Sequence, residues 1–233
     1  YKGRLSAYYP AFPEGNMARV HFIIGRSEGE TPKPAQSELE AEVGKITRTW
    51  DDDLRAALGS ATAGHFEGAF PAAYQYAFSG AHAVEDIARL DAMGEAENIS
   101  ISFSRDAGMA EDRVSLKVYS AGQALPLSNR VPLLENMGFA ALNERTYQIT
   151  PAERPIIYLY DMTLQANSGA FSLEALGDKL TECFLAIWQN RAENDGYNAL
   201  ILNGGIAWRD IALLRTISRY LRQTRIPFSQ DYM

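Results

Sequence analysis

Apolar and polar positions along residues 112–190 follow two periods in a fixed order. Residues 113–119 (RVSLKVY) repeat every second position, and 128–138 (SNRVPLLENMG) has helical spacing. Residues 140–150 (AALNERTYQIT) and 155–163 (PIIYLYDMT) return to the strand period. A long amphipathic helix is predicted over 172–190, with Leu173, Leu176, Leu180, Phe184, Ile187 and Trp188 on one side. Strand, helix, strand, strand, helix predicts the core of a small α+β sandwich. Ser128 is the expected N-cap of its first helix and Gly138 the C′ residue, with Pro132 shifting the start toward Val131. Residues 98–104 (NISISFS) are expected to pair with 113–119 as a hairpin, reversing at Gly108.

The N-terminal part repeats half of this pattern. Residues 5–12 and 18–25 (ARVHFIIG) read as two strands joined by the turn Pro13-Glu14-Gly15-Asn16. In the second, Val20, Phe22 and Ile24 make one apolar face, as in a half-buried antiparallel strand. Ser37-Glu38-Leu39-Glu40 reads as a capping box. From there Leu39, Val43, Ile46, Trp50, Leu54 and Leu58 predict one apolar stripe about six turns long, stopped by Gly59. Residues 64–93 are expected to be mainly helical, starting at Pro71 and broken at Gly80, as a connector between modules. A last helix over 208–225 is predicted to turn Trp208, Ile211, Leu214, Ile217 and Leu221 inward.

Composition narrows what such a scaffold can do. A net charge of −7 over 233 residues argues against a general nucleic-acid binder. No apolar run approaches the roughly 20 residues that span a bilayer. The single cysteine, Cys183, excludes an intrachain disulfide framework and reads as a buried thiol among Leu180, Phe184 and Ile187. Cysteine poverty fits a reducing cytoplasm. The start at Tyr1, close to a strand, and the end at Met233, just after a helix and Pro227, read as an excised segment of a longer polypeptide.

No catalytic constellation is visible, so no catalytic, cofactor-binding or metal residue is assigned. His21, His65 and His82 lack metal-ligand spacing. Asp51-Asp52-Asp53 lies on a predicted helix, where neighbouring side chains splay about 100° apart, and reads as a solvated face. The aromatic residues Phe66, Phe70, Tyr74, Tyr76 and Phe78 lack the interleaved cations of a nucleic-acid platform and read as core. Gly204-Gly205 precedes a helix and could cradle an anion, although a loop between helices explains it better. Residues 191–233 hold six arginines against three aspartates and one glutamate. Arg215, Arg219 and Arg222 share a helix face that could grip a phosphate or an acidic module, or simply be solvated.

Three stretches resemble one family. They are RLSAYYPAFPEGNMARVHFIIGR at 4–26, ELEAEVGKITRTWDDDLRAAL at 38–58 and LPLSNRVPLLENMGFAALNERTYQITP at 125–151. The similarity runs on through PIIYLYDMTL at 155–164 to NALILNGGIAWRDIALLRTISRYLRQTRIPFSQDYM at 198–233. They are similar to the non-catalytic N-terminal half of the large bacterial NAD-specific glutamate dehydrogenases. The resemblance implies ACT-like (ferredoxin-like) βαββαβ modules with helical connectors. Residues 1–58 would complete one module, 59–95 connect, 96–192 hold the next, and 193–233 lead to an absent catalytic domain. It also implies NAD in the parent enzyme but none in this segment, a catalytic domain of the same polypeptide as partner, a homo-oligomeric parent and a cytoplasmic setting. An amino-acid effector would sit at the loop after the first strand, at Ser120, Gly122 and Gln123. The competing reading is an independent small-molecule sensor that takes an amino acid or an anion, the anion held by Gly204-Gly205, Arg215 and Arg219.

Overall fold

The computed structural model describes residues 1, 3–12, 18–26, 28–29, 32–59, 62, 64–93 and 98–224. The predicted turn at 13–16, Arg225 and the terminal stretch with Pro227 lie outside the described residues. The chain divides into two compact units, Tyr1–Thr49 and Trp50–Met233.

In the first unit, β1 (Arg4–Ala11) and β2 (Arg19–Gly25) form an antiparallel hairpin with a bulge between Leu5 and Ala7. Helix α1 (Gln36–Thr47) follows. It starts one residue before the predicted cap. Ala35 occupies the N-cap, and the Glu38 carboxylate accepts its backbone N–H at 3.2 Å. None of this unit's described residues is buried, and Phe12 and Ile46 are each 82% exposed. The half-buried strand predicted for β2 is therefore not what forms, because nothing within the unit covers its apolar face.

The predicted six-turn helix is two helices. Arg48 takes an extended backbone (ψ 125°), ending α1, and α2 (Trp50–Leu58) begins anew with Asp51, Asp52 and Asp53 in its first turn. Those acids suit the positive end of the helix dipole. Gly59, in the left-handed region at φ 79°, stops α2 as predicted.

The second unit is built on four antiparallel strands in the order β3-β4-β6-β5. These are β3 (Ile99–Ser104), β4 (Arg113–Ala121), β5 (Phe139–Ile149) and β6 (Ile157–Ala166). The predicted hairpin of β3 with β4 is present. In chain order the module runs ββαββα, with β3 flanking β4 at the edge. Strict alternation gives the sheet two faces. Val114, Leu116 and Val118 point to one, and Ser115, Lys117 and Tyr119 to the other.

The first face is covered by α5 (Leu127–Asn136) and α6 (Leu173–Trp188), through Leu133, Leu134, Leu180, Cys183 and Phe184. Each fully buried Leu or Phe contributes about 1.5–3 kcal/mol of apolar transfer energy. Ser172 caps α6, its hydroxyl accepting from the Ala175 N–H at 3.2 Å. Helix α5 starts at Leu127 with Pro126 as N-cap, not at Ser128, and it runs through Pro132 unbroken.

One end of the second face packs on α2, α3 (Ala72–Ala77) and α4 (Gly80–Ala92), where Phe66, Phe70 and Tyr74 stack with Trp50 over Tyr147. Tyr76 departs from the aromatic core and is exposed. Gly80 is not a break but the first residue of α4, capped by Ser79. A Cβ there would lie 2.8 Å from the Leu54 backbone nitrogen, so only glycine permits α2 and α4 to cross so closely.

Beyond α6 come a 3₁₀ turn (Gly196–Ala199), the short α7 (Leu200–Gly204) and α8 (Trp208–Gln223). Gly205, at φ 63°, ends α7, and its carbonyl accepts from Lys179 Nζ at 2.6 Å. That is the inter-helix loop and not an anion cradle. Helix α8 is rotated from its predicted orientation. It buries Ile211, Arg215 and Ser218, while Leu214 and Ile217 are exposed.

Candidate functional site

The loop between β4 and α5 borders a cleft of about 480 Å³, walled by Asn98, Ser120, Gln123, Asn129, Trp188 and Gln189 among others. Four of these six are carboxamides, and none of the lining side chains carries a formal charge. The loop is fixed from within. Gly122 adopts the left-handed φ of 76° that glycine allows, and its N–H donates to the Ile156 carbonyl at 2.8 Å. The Ser120 hydroxyl donates to the Gln123 carbonyl at 2.6 Å, and the Leu125 N–H donates to the Tyr160 hydroxyl at 2.6 Å.

Arg130 holds the far side. It is buried, makes a bidentate pair with Glu144 at 2.9 and 3.0 Å, donates to the Leu125 carbonyl, and lies 3.7 Å from the Tyr160 ring centroid. Such a forked pair fixes geometry as well as charge. A preformed, uncharged, amide-lined hollow can orient a small polar molecule by hydrogen bonds. Its lining holds no ionisable acid or base, and the Ser120 hydroxyl is spent on the Gln123 carbonyl.

Of the predicted site residues, Ser120 and Gln123 line this cleft and Gly122 shapes its loop. Arg215 and Arg219 lie elsewhere. Arg215 is buried, with a bidentate pair to Asp195 at 2.7 Å and a 2.9 Å bond to Asn198. Arg219 pairs with Glu193. These contacts tie α8 to the segment before it and replace the predicted phosphate grip of Arg215 and Arg219.

A second polar centre was missed by sequence reasoning. Asp86 on α4 is buried, and it accepts from Lys117 Nζ at 2.8 Å, from the Tyr119 hydroxyl at 2.7 Å and from the Tyr74 hydroxyl. Burial, and then the charge of Asp86, push both phenols far above the ordinary tyrosine range, so they remain donors. The signal was present. Ala83, Asp86, Ile87 and Leu90 share a helical stripe, and a carboxylate within such a stripe needs buried partners. Arg130, within the stripe of Leu133, Leu134 and Met137, carried the same signal.

Burial pushes the Cys183 thiol up to about 12, which leaves no thiolate nucleophile at neutral pH. Among the described residues, no group of three or more His, Cys, Asp or Glu could hold a metal ion. Also among them, no helix is long and apolar enough to cross a membrane.

Comparison with known proteins sets this architecture in a class. Residues 1–51 match the glutamate dehydrogenase ACT2 domain, 54–93 its helical motif 2, 98–176 its ACT3 domain and 192–233 its helical motif 3. The class is thus the ACT and helical-motif region of glutamate dehydrogenases. The similar proteins include NAD-specific glutamate dehydrogenases of Halomonas elongata (33% identical over 94% of this chain) and Pseudomonas aeruginosa (31% over 97%). Another is that of Mycobacterium tuberculosis (30% over 94%). Nearly the whole chain is similar to these NAD-specific glutamate dehydrogenases, and it spans only 14–15% of their length. The described residues do not fit NAD. Both sheets are wholly antiparallel, so they lack the parallel strand–helix crossover that sets a pyrophosphate at a helix N-terminus.

Proposed function

We propose that this chain is a regulatory and assembly segment of an NAD-dependent glutamate dehydrogenase, itself without catalytic activity. The parent would convert L-glutamate to 2-oxoglutarate and ammonia through a catalytic domain elsewhere in the same polypeptide. On this reading, residues 1–58 complete one ACT-like module, 59–95 connect, 96–192 form the next, and 193–233 lead toward the catalytic domain. The parent would act as a homo-oligomer in the cytoplasm.

The observation that carries the regulatory reading is the β4–α5 cleft. Its loop is locked by Gly122, Ser120 and Arg130, and its wall is made of neutral amides. A site preorganised in this way loses little conformational entropy when a small polar effector enters.

Titration calorimetry with the proteinogenic L-amino acids tests it. At least one is expected to bind, and Gln123→Ala with Asn129→Ala is expected to weaken that binding about tenfold. Steady NADH formation from L-glutamate by this chain alone would overturn the non-catalytic reading.

A further inference from the structure

Helix α4 meets the sheet on its second face, whereas the loop cleft lies beside Asn129 of α5 and Trp188 of α6. Even so, α4 grips the two strands that wall that cleft. On β4, Lys117 Nζ and the Tyr119 hydroxyl donate to Asp86 at 2.8 and 2.7 Å. On β3, the Ile101 carbonyl accepts from Arg89 Nη1 at 3.4 Å. Strand alternation carries these ties through the sheet. Tyr119 points to α4, while its neighbour Ser120 points to the other face, lines the cleft and stands opposite Ile99 of β3. The Ala121 N–H closes the junction of the two strands by donating to the Asn98 carbonyl at 2.9 Å. Asn98, Ile99 and Ser120 of the cleft wall thus lie only a few positions along their strands from an α4 contact.

The grip at Asp86 is all or none. Its carboxylate is buried and has three donors, the third being the Tyr74 hydroxyl of α3. Such bonds fail within roughly 1 Å of displacement, whereas the apolar contacts of Ala83, Ile87 and Leu90 can slide. A partly lifted α4 would leave a buried anion without donors and Lys117 without its partner. Packed elements with that penalty take separate positions rather than a continuum of them. Gly80 lets α4 lie against the Leu54 backbone, so α2 shares the seat.

We propose that α4 is a two-position latch on the loop cleft, with Asp86 as its positioning residue. Seated, α4 holds the ends of β3 and β4 at the spacing that forms the cleft. Released, it lets the Asn98–Ala121 junction open, and the cleft loses a wall. Asp86 bonds none of the cleft's lining residues and acts on them through Tyr119 and Lys117 of β4. Because α4 lies in the segment proposed as the connector, a pull on that segment is felt at the cleft. By linkage, a molecule held in the cleft favours the seated connector to the same degree. The consequence for regulation rests on the regulatory reading of the cleft, whereas the coupling itself does not.

Residue-resolved amide hydrogen exchange of the 233-residue chain tests the latch without any ligand. Asp86→Asn removes the hub but leaves Lys117 uncompensated and risks unfolding the unit, so the decisive variant is Tyr119→Phe. It keeps the ring in the core and the Asp86–Lys117 pair in place, and circular dichroism confirms that it folds. Loss of this one hydrogen bond should speed exchange at Ala121, Gly122 and Leu125 about fivefold. Met137 and Asn167, whose amides donate to Leu133 and Gly138 at the other end of the sheet, should stay within about twofold of the parent. Tyr197→Phe, which deletes a hydroxyl bond to Ser218 of α8, is the control and should leave the three loop amides unchanged. Equal acceleration at both ends of the sheet would mean plain destabilisation and would overturn the latch. Unchanged loop amides in Tyr119→Phe, or an equal loop response to Tyr197→Phe, would overturn it too. Calorimetry of the cleft is a separate measurement, so failure of the regulatory reading and failure of the latch are told apart.

Discussion

At the scale of single residues, the folded unit depends on a few buried charges. Removing one partner of the Asp86–Lys117 pair would leave an uncompensated group, a penalty of about 3–5 kcal/mol in comparable settings. Asp161 behaves oppositely. Its carboxyl is raised chiefly by burial, with Asp86 and Asp106 adding to the effect and Lys117 and Arg145 resisting it. A raised folded-state value means that the folded chain binds this proton more tightly than the unfolded one. The associated stability is complete at acid pH below the ordinary Asp value and is lost as pH rises through the raised one. Asp161→Asn should therefore melt close to the parent in acid and above it at neutral pH, the gap opening as pH rises. Thermal melts across that range check this, and a gap that stays constant or reverses would refute it.

At the scale of elements, most strands and helices were legible, because the two hydrophobic periods were clean. The hairpin of β3 with β4, the sheet-covering α6 and its Ser172 cap follow directly from spacing. The errors arose where a long-range contact outweighed a local pattern. The stripe from Leu39 to Leu58 has continuous helical spacing, yet the chain extends at Arg48 and Leu54 is buried in the aromatic cluster. In α8 the apolar stripe predicted burial of Leu214 and Ile217. The pairing of Arg215 with Asp195 and Asn198 turns the helix instead, which no periodicity reveals. The loop cleft was half legible. Ser120 and Gln123 stood out in sequence, while Asn98 and Gln189 reach it only through tertiary folding. Gly80 read as punctuation because its true reason, the neighbouring backbone of α2, is remote in sequence. Gly80→Val should force α2 and α4 apart and destabilise the second unit by about 1–3 kcal/mol. Urea unfolding followed by Trp50 fluorescence reads this out, and an unchanged midpoint would show the crossing to be slack.

At the scale of the whole molecule, the two units differ in how much they enclose. The second has apolar clusters on both faces of its sheet, whereas the first buries none of its described residues. Backbone hydrogen bonds unprotected by packing open at little cost. Amide hydrogen exchange should accordingly be fast through β1 and β2 and slow through β4 and β6. Comparable protection in both would mean that the first unit's apolar residues are covered in solution. The outer rim of β5 has a different consequence. It ends the four-stranded sheet with an irregularity between Ala141 and Asn143, followed by Glu144 and Arg145. A kinked border bearing ionised heads resists lateral growth into a continuous ribbon. Self-association by strand addition is therefore disfavoured at that margin, where side chains would carry a lasting contact more readily than backbone pairing.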